Sequence, residues 1–579
     1  MIDLLKFNLK LPVQHPDFLQ SVLQMHEKEN GSLFSQITIK SIQASIEDSF
    51  LSGVGGNRHK TEGVLKLVTN IVRTLDLVIS DLIPILPEEF KVITMFTDEA
   101  NTMIKEDIKT FYTNNKATIS YRDMLTLLSF ADKQKRELSK FGVDTSYVSE
   151  FYTELLKQYS TTMQGLMKEW AGRIHQLDNK ADVQIEESRG IITIGSTSWP
   201  DDLIDCVSGQ IVLALQELGT NARNVVIKTI IEELPSFVSQ QRRWLDSKLG
   251  INLSSSNESV YNLTKLMARG KCSIPADRVA AYMNNMYRFV GLLRNKLNET
   301  MKAISSGSVV INILYIYVIL YLHILSLHHH YLEPESVMLI TSIFENSSNI
   351  FEREIKLSTN KLAGLISLDF TQALRENLFG SSWDKNAILV ESLVVTMHDY
   401  YVDLKKWITS EIQLTEIIRM IMNAIFNTYL ELLLTGPPAV GDNAQAISRL
   451  NDDLVILVDC FREFKFYLSE EEVIREAKSL STVIQAISLD RSKLTDFYKS
   501  NFIYTFGSVY SIKILQIALI IREEPKYFVE EIIEELNKFQ PNIRRSLVNN
   551  TDRSSMYLES ILTYQDRFIK CPTSRKLKG

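Results

Sequence analysis

From Val148 to Ile174, the residues Val148, Tyr152, Leu155, Tyr159, Met163, Leu166, Trp170 and Ile174 follow one another in steps of three or four. That spacing holds one face of an α-helix apolar for more than 25 residues, which suits a bundle or rod helix and excludes a strand, whose faces alternate every residue. Glu154, Lys157, Gln158, Lys168 and Glu169 fall between these positions as a solvated face. The same period recurs over residues 61–82, 88–113, 120–140, 201–218, 222–248, 277–304, 388–407 and 411–434. Nearly every segment long enough to classify is therefore helical.

Gly and Pro together make 35 of the 579 residues, about half their usual share, so a turn-dense sandwich or barrel is excluded. Where these residues do occur they fall at expected helix ends: Pro84 and Pro87 between two helices, Gly142 and Gly219 after helix C-termini, and Gly436-Pro437-Pro438 after a leucine-rich helix. Ser469-Glu470-Glu471-Glu472 is a capping box. The longest polar gaps, residues 180–198, 249–258 and 436–445, are the candidate joints. The β-like run Gly190-Ile-Ile-Thr-Ile-Gly195 is too isolated for a sheet, and no fixed repeat of solenoid length is present.

The formal net charge is −7, without the basic excess that nucleic-acid binding usually needs, so nucleic acid is not an expected partner. Cys206, Cys272, Cys460 and Cys571 are far apart and form no metal-ligand spacing; they read as reduced thiols of a cytosolic protein. The N-terminus carries no secretory-signal pattern.

Chemistry-bearing patterns are weak. Gly53 to Thr61 ends in Lys-Thr after glycines, but His59 stands where a phosphate loop needs glycine. His328, His329 and His330 diverge by about 100° each on a helix and do not converge on one metal ion. His398, Asp399 and Glu431 have no Ser, Cys or second His at a catalytic spacing. No catalytic residue, cofactor or metal is expected, and the chain reads as a binding protein. Two features are candidates for contact. Arg567, Lys570, Arg575, Lys576 and Lys578 form a basic tail on an acidic protein, suited to an anionic membrane face or an acidic partner. Trp199, before Pro200 at an expected helix start, is a candidate partner anchor.

The order of several segments goes further. Gly165-Leu-Met-Lys-Glu-Trp170, Trp199 to Gln216 and Val238-Ser-Gln-Gln-Arg-Arg-Trp244 resemble the middle of the exocyst complex component 3, or Sec-six, family of vesicle-tethering subunits. Val394 to Leu404, Ala424 to Leu434, Asp452 to Phe466 and Phe539-Gln-Pro-Asn-Ile-Arg-Arg545 resemble its C-terminal half, and the middle and C-terminal segments together keep the family's order over roughly residues 60–550. The resemblance implies an all-α, elongated rod of consecutive helical bundles without catalysis. It also implies assembly with other exocyst subunits, contacts to SNARE proteins and their regulators, and a cytoplasmic location peripheral to the plasma membrane at sites of exocytosis. The corresponding divisions are an N-terminal bundle at 1–182, a middle bundle at 183–330, a bundle at 331–436, and a C-terminal bundle with the basic tail at 437–579.

Two features depart from the family pattern. Its members begin with a long coiled coil used for subunit pairing, whereas residues 1–30 here resemble the stretch after it; the expectation is a coiled coil missing from the gene model or a shortened form. Val309 to Leu327 is a run of 19 residues without charge, about one hydrocarbon thickness as a helix. A buried bundle helix, a membrane span and translated non-coding sequence are its three readings. The span would make the chain a single-pass membrane protein, one rival function; a membrane-remodelling relative outside the exocyst is the other.

Overall fold

The computed structural model describes residues 46–54, 60–83, 91–180, 184–188, 191–251, 260–270, 272–305, 334–380, 383, 388–436 and 443–538. The apolar run 309–327, the three histidines 328–330 and the basic tail lie outside the described residues.

The described chain is helical apart from one hairpin, almost all of it α-helix. Its main helices are α1 (Thr61–Leu77), α2 (Val92–Asn115), α3 (Tyr121–Lys140), α4 (Ser146–Asp178), α5 (Trp199–Glu217), α6 (Thr220–Leu249), α7 (Val260–Arg269) and α8 (Ala276–Ser305). They are followed by α9 (Pro334–Asn377), α10 (Ile388–Trp407), α11 (Glu411–Thr435), α12 (Ala444–Arg462), α13 (Glu470–Ser488), α14 (Ile503–Ile521) and α15 (Lys526–Asn537). Periodicity placed α1 to α6, α8, α10 and α11 within a few residues; the short α7, α9, whose 44 residues span about 66 Å, and α12 to α15 lie outside the segments it marked.

Within the run at 190–195, residues 191–195 do pair, contrary to expectation: β1 (Gln184–Ser188) and β2 (Ile191–Ser196) form an antiparallel hairpin in which Ile185 faces Ile194 and Ser188 faces Ile191. The partner strand was hidden because Gln184-Ile-Glu-Glu-Ser188 is polar and charged, a composition poor in strand formers. The chain leaving the hairpin is fixed by a buried clamp. Thr197 donates its backbone N–H to Asn285 Oδ1 at 3.1 Å and its hydroxyl to Asp178, while Asn285 Nδ2 returns a bond to Thr197 Oγ1 at 2.8 Å. Burial pushes the Asp178 carboxyl above the usual aspartate range, against the pull of Thr197 and Arg278.

The chain divides into two compact units: Met1–Ile174, Asp201–Phe237 and Leu292–Ser348 in the first, His175–Pro200, Val238–Gly291 and Asn349–Gly579 in the second. In the first unit α1 packs on α2 and α3, with Phe50 edge-on to Phe96 and Phe111 edge-on to Phe151. The α4 stripe is buried at Val148, Leu155, Tyr159, Met163 and Ile174. Phe151, Met167 and Ala171 take the deep positions expected of Tyr152, Leu166 and Trp170, which are half-buried: the buried band is wide enough to slide by one residue along the helix. Within α6, Pro235 has no N–H for the carbonyl of Ile231, four residues back. Ser347 Oγ of α9 donates to that oxygen at 3.2 Å, so the break in the helix ladder is repaired from a neighbouring helix.

In the second unit α13 packs on α11, α12 and α14, and α7 packs on α11. Among the described residues α11 alone is long and apolar enough to cross a membrane, yet 67% of that stretch is buried inside the fold; it is the centre of a bundle. Gly364 of α9 lets α7 approach closely: a Cβ there would stand 3.3 Å from Leu263 Cβ, and Thr264 Oγ1 donates to the Gly364 carbonyl at 3.3 Å.

The helix ends follow their local code. Ser120 caps α3 by accepting from Asp123 N–H, and Gly142, at φ 75°, ends it with Val143 N–H returning to the Leu138 carbonyl. The capping box at Ser469 forms as read: Ser469 Oγ accepts from Glu472 N–H, and Glu472 Oε2 accepts from Ser469 N–H at 2.9 Å. That backbone bond and Arg419 at 2.9 Å lower the Glu472 carboxyl below the usual glutamate range. Ser469→Ala is expected to cost about 1 kcal/mol in chemical denaturation. A carboxyl lowered on folding adds stability above its unfolded value and loses it as pH falls through the folded one. The gap between wild type and Glu472→Gln should therefore close towards acid; a gap constant with pH would contradict the assignment.

Candidate interaction surface

The second unit carries an open cleft of about 460 Å³ lined by Pro275, Ala276 and Asp277 at the start of α8 and by Thr396, Asp399, Tyr400, Asp403 and Trp407 of α10. The α10 residues stand at i, i+3, i+4, i+7 and i+11, so one helical face supplies them all. Their positions are fixed from behind. Asn284 of α8, buried, donates Nδ2 to the Trp407 carbonyl at 2.6 Å and accepts from Thr409 Oγ1 at 3.3 Å. Tyr400 donates its hydroxyl to Asp369 of α9 and packs its ring 5.8 Å from Phe370. Burial, with Asp369 beside it, pushes the Tyr400 phenol upward and keeps it a hydrogen-bond donor.

The second unit also holds two sets of buried charges. Glu354 of α9, fully buried, accepts from Arg242 of α6 and from the Tyr282 hydroxyl of α8 at 3.1 Å. Lys361, 2% exposed, stands 2.8 Å from Asp246 Oδ1 and 3.8 Å from Glu354 Oε1. In the C-terminal helices Asp453 of α12, also fully buried, accepts from Trp383 Nε1 at 3.1 Å and from the Tyr429 hydroxyl at 2.8 Å, and pairs with Arg449 at 2.7 Å. Each of these charges joins one helix to another.

The model of the family "Exocyst complex component Sec6" matches residues 24–550. The chain belongs to the Sec6 family of exocyst components. Two solved structures are similar. One is the C-terminal domain of the exocyst subunit Sec6p, with a TM-score of 0.50 and 11% identity over 74% of this chain and 95% of that one. The other is M-Sec, with a TM-score of 0.50 and 12% identity over 94% of this chain and 87% of that one. At such identities the likeness is one of fold, and the helical-bundle architecture expected from the resemblance is what they share with this chain. A comparison with curated protein sequences gives no match.

The Sec6-family fold sorts the residues singled out in the sequence. Trp199 is not at the surface: it is 1% exposed, its ring 5.5 Å from Phe289, which lies 4.7 Å from Phe351. The Trp-Pro start of α5 faces the core because the clamp at Thr197 turns the chain inward just before it, so the ring packs the second unit and is not presented to a partner. His398 and Glu431, weighed together in the sequence, have separate partners. His398 Nε2 meets Glu463 at 3.0 Å, and Glu431 is held by Lys265 at 2.7 Å and Arg375 at 2.8 Å. Cys206, Cys272 and Cys460 are free thiols, and burial pushes the Cys460 thiol up to about 12. The cleft itself was not legible in the sequence, because its two walls lie far apart along the chain; the only local signal was the i, i+3, i+4, i+7 spacing of Thr396, Asp399, Tyr400 and Asp403.

Proposed function

We propose that this chain is a non-enzymatic exocyst subunit that helps tether secretory vesicles to the plasma membrane before SNARE-mediated fusion. In this reading it binds other exocyst subunits, SNARE proteins and their regulators, and works from the cytoplasm as a peripheral protein at sites of exocytosis. The observation that carries it is the family match across residues 24–550. Long helices suit such a tether, because several modest interfaces on one scaffold add through effective concentration. The basic tail, Arg567, Lys570, Arg575, Lys576 and Lys578, is proposed for the anionic membrane face, at up to about 1 kcal/mol per charge. Affinity purification of the tagged chain from its own cells, with identification of co-purifying proteins, is expected to recover several exocyst subunits. A clean preparation without any of them would sink the reading.

A further inference from the structure

The α10 helix presents more than the cleft. Ile388, Val395 and Val402 stand on it at seven-residue intervals and are 70%, 61% and 52% exposed. Seven residues return a helix to within about 20° of its starting direction, so the three form one straight apolar row about 21 Å long. Asp399, exposed, is four residues after Val395 and three before Val402, which sets it between this row and the cleft. Row, Asp399 and cleft therefore form one continuous surface: β-branched side chains on one side, then the carboxylates of Asp277, Asp399 and Asp403 beside Tyr400 and Trp407.

Nearby cations leave that surface acidic. Arg278 is turned inward, donating to the Asp178 carbonyl, and Lys405 lies over the Tyr401 ring, 5.4 Å from its centroid. Lys406 meets Asp403 at 3.4 Å, with both side chains close to half-exposed, an arrangement worth little and easily exchanged.

We propose that this surface docks an amphipathic, lysine- or arginine-bearing helix of a partner protein. The heptad-spaced row gives the partner's apolar ridge one line of contacts along α10. The partner's cations reach the carboxylates of Asp277, Asp399 and Asp403 and the aromatic faces of Trp407 and Tyr400, where charge pairing and cation–π attraction act together. The cleft is open along the helix, room for side chains of a docked helix, and the charge selects a basic occupant over an acidic one. The proposal does not depend on which complex the chain joins, so an exocyst purification that fails leaves it standing, and its own failure leaves the exocyst reading untouched.

The test uses the full chain and a fluorescent amphipathic peptide of Leu, Ala and Lys, about five helical turns long, against a Glu-for-Lys analogue. Anisotropy titration near physiological salt is expected to show the Lys peptide binding and the Glu peptide not. The double variant Asp399→Lys, Asp403→Lys should weaken binding about tenfold or more, as should Val395→Asp with Val402→Asp. The charge-matched control Asp98→Lys, Glu106→Lys, exposed on α2, should bind as wild type, and circular dichroism should show all variants folded. Equal weakening by the control would overturn the proposal, since binding would then follow net charge alone. Undiminished binding by either α10 variant would overturn it too. Concentration-dependent self-association abolished by the same α10 variants would replace the partner helix with a second copy of the chain.

Discussion

Replacing Glu354 with alanine is expected to cost about 3–5 kcal/mol of folding stability. The carboxylate is fully buried and has three partners from three directions: Arg242 of α6, Tyr282 of α8 and Lys361 of its own helix. Burial, with the charge of Glu354 beside it, pushes the Tyr282 phenol well above its ordinary value, so that hydroxyl stays a donor and loses its acceptor in the variant. Lys361, 2% exposed, would keep only Asp246. The cost is that of stranding buried polar groups and not the net worth of the ion pair, because removing all of them together can be neutral. The triple variant Glu354→Leu, Lys361→Met, Tyr282→Phe is therefore expected to recover most of the loss, with Arg242 and Asp246 left to pair four residues apart on α6. Guanidinium denaturation followed by circular dichroism reads both; a triple variant as unstable as Glu354→Ala would show that the network itself stabilises the unit.

Asp453→Ala should cost about 3 kcal/mol, at the lower end for a broken buried pair. Arg449 keeps Glu391 as a partner at 3.5 Å, so the cost falls mainly on Trp383 Nε1 and the Tyr429 hydroxyl, both left without their acceptor. The pH dependence has a definite sign. Burial pushes the Asp453 carboxyl above the usual aspartate range, against the lowering pull of Tyr429, Arg449 and Trp383. A carboxyl raised on folding binds its proton more tightly in the native state. Its contribution then falls as pH rises from the ordinary aspartate value through the folded one. The stability gap between wild type and Asp453→Ala should accordingly narrow over that window. A gap that widens with pH would mean that the ion pair with Arg449 outweighs burial.

Both networks explain why the second unit carries charge in its core. A helix such as α9, with 44 residues, offers many registers to its neighbours if its contacts are apolar alone. Glu354 and Lys361, two turns apart on one face, accept only the register that brings Arg242, Asp246 and Tyr282 to them. The Gly364 contact with Leu263 acts in the same sense within that unit.

The sequence by itself determined the helical class, most helix positions and the family, because each is written locally: a 3.6-residue period in α4, a capping box at Ser469, a glycine at position 142, an order of short segments. Tertiary structure alone decided the rest. It placed Trp199 in the core, paired the charged strand Gln184–Ser188 with β2, buried Glu354, Lys361 and Asp453, and joined Asp277 to Asp403 across one cleft. A side chain's period reports only which face of its own helix it occupies. Whether a charge on that face can be buried depends on partners supplied by helices distant in sequence, and those are fixed only when the helices pack.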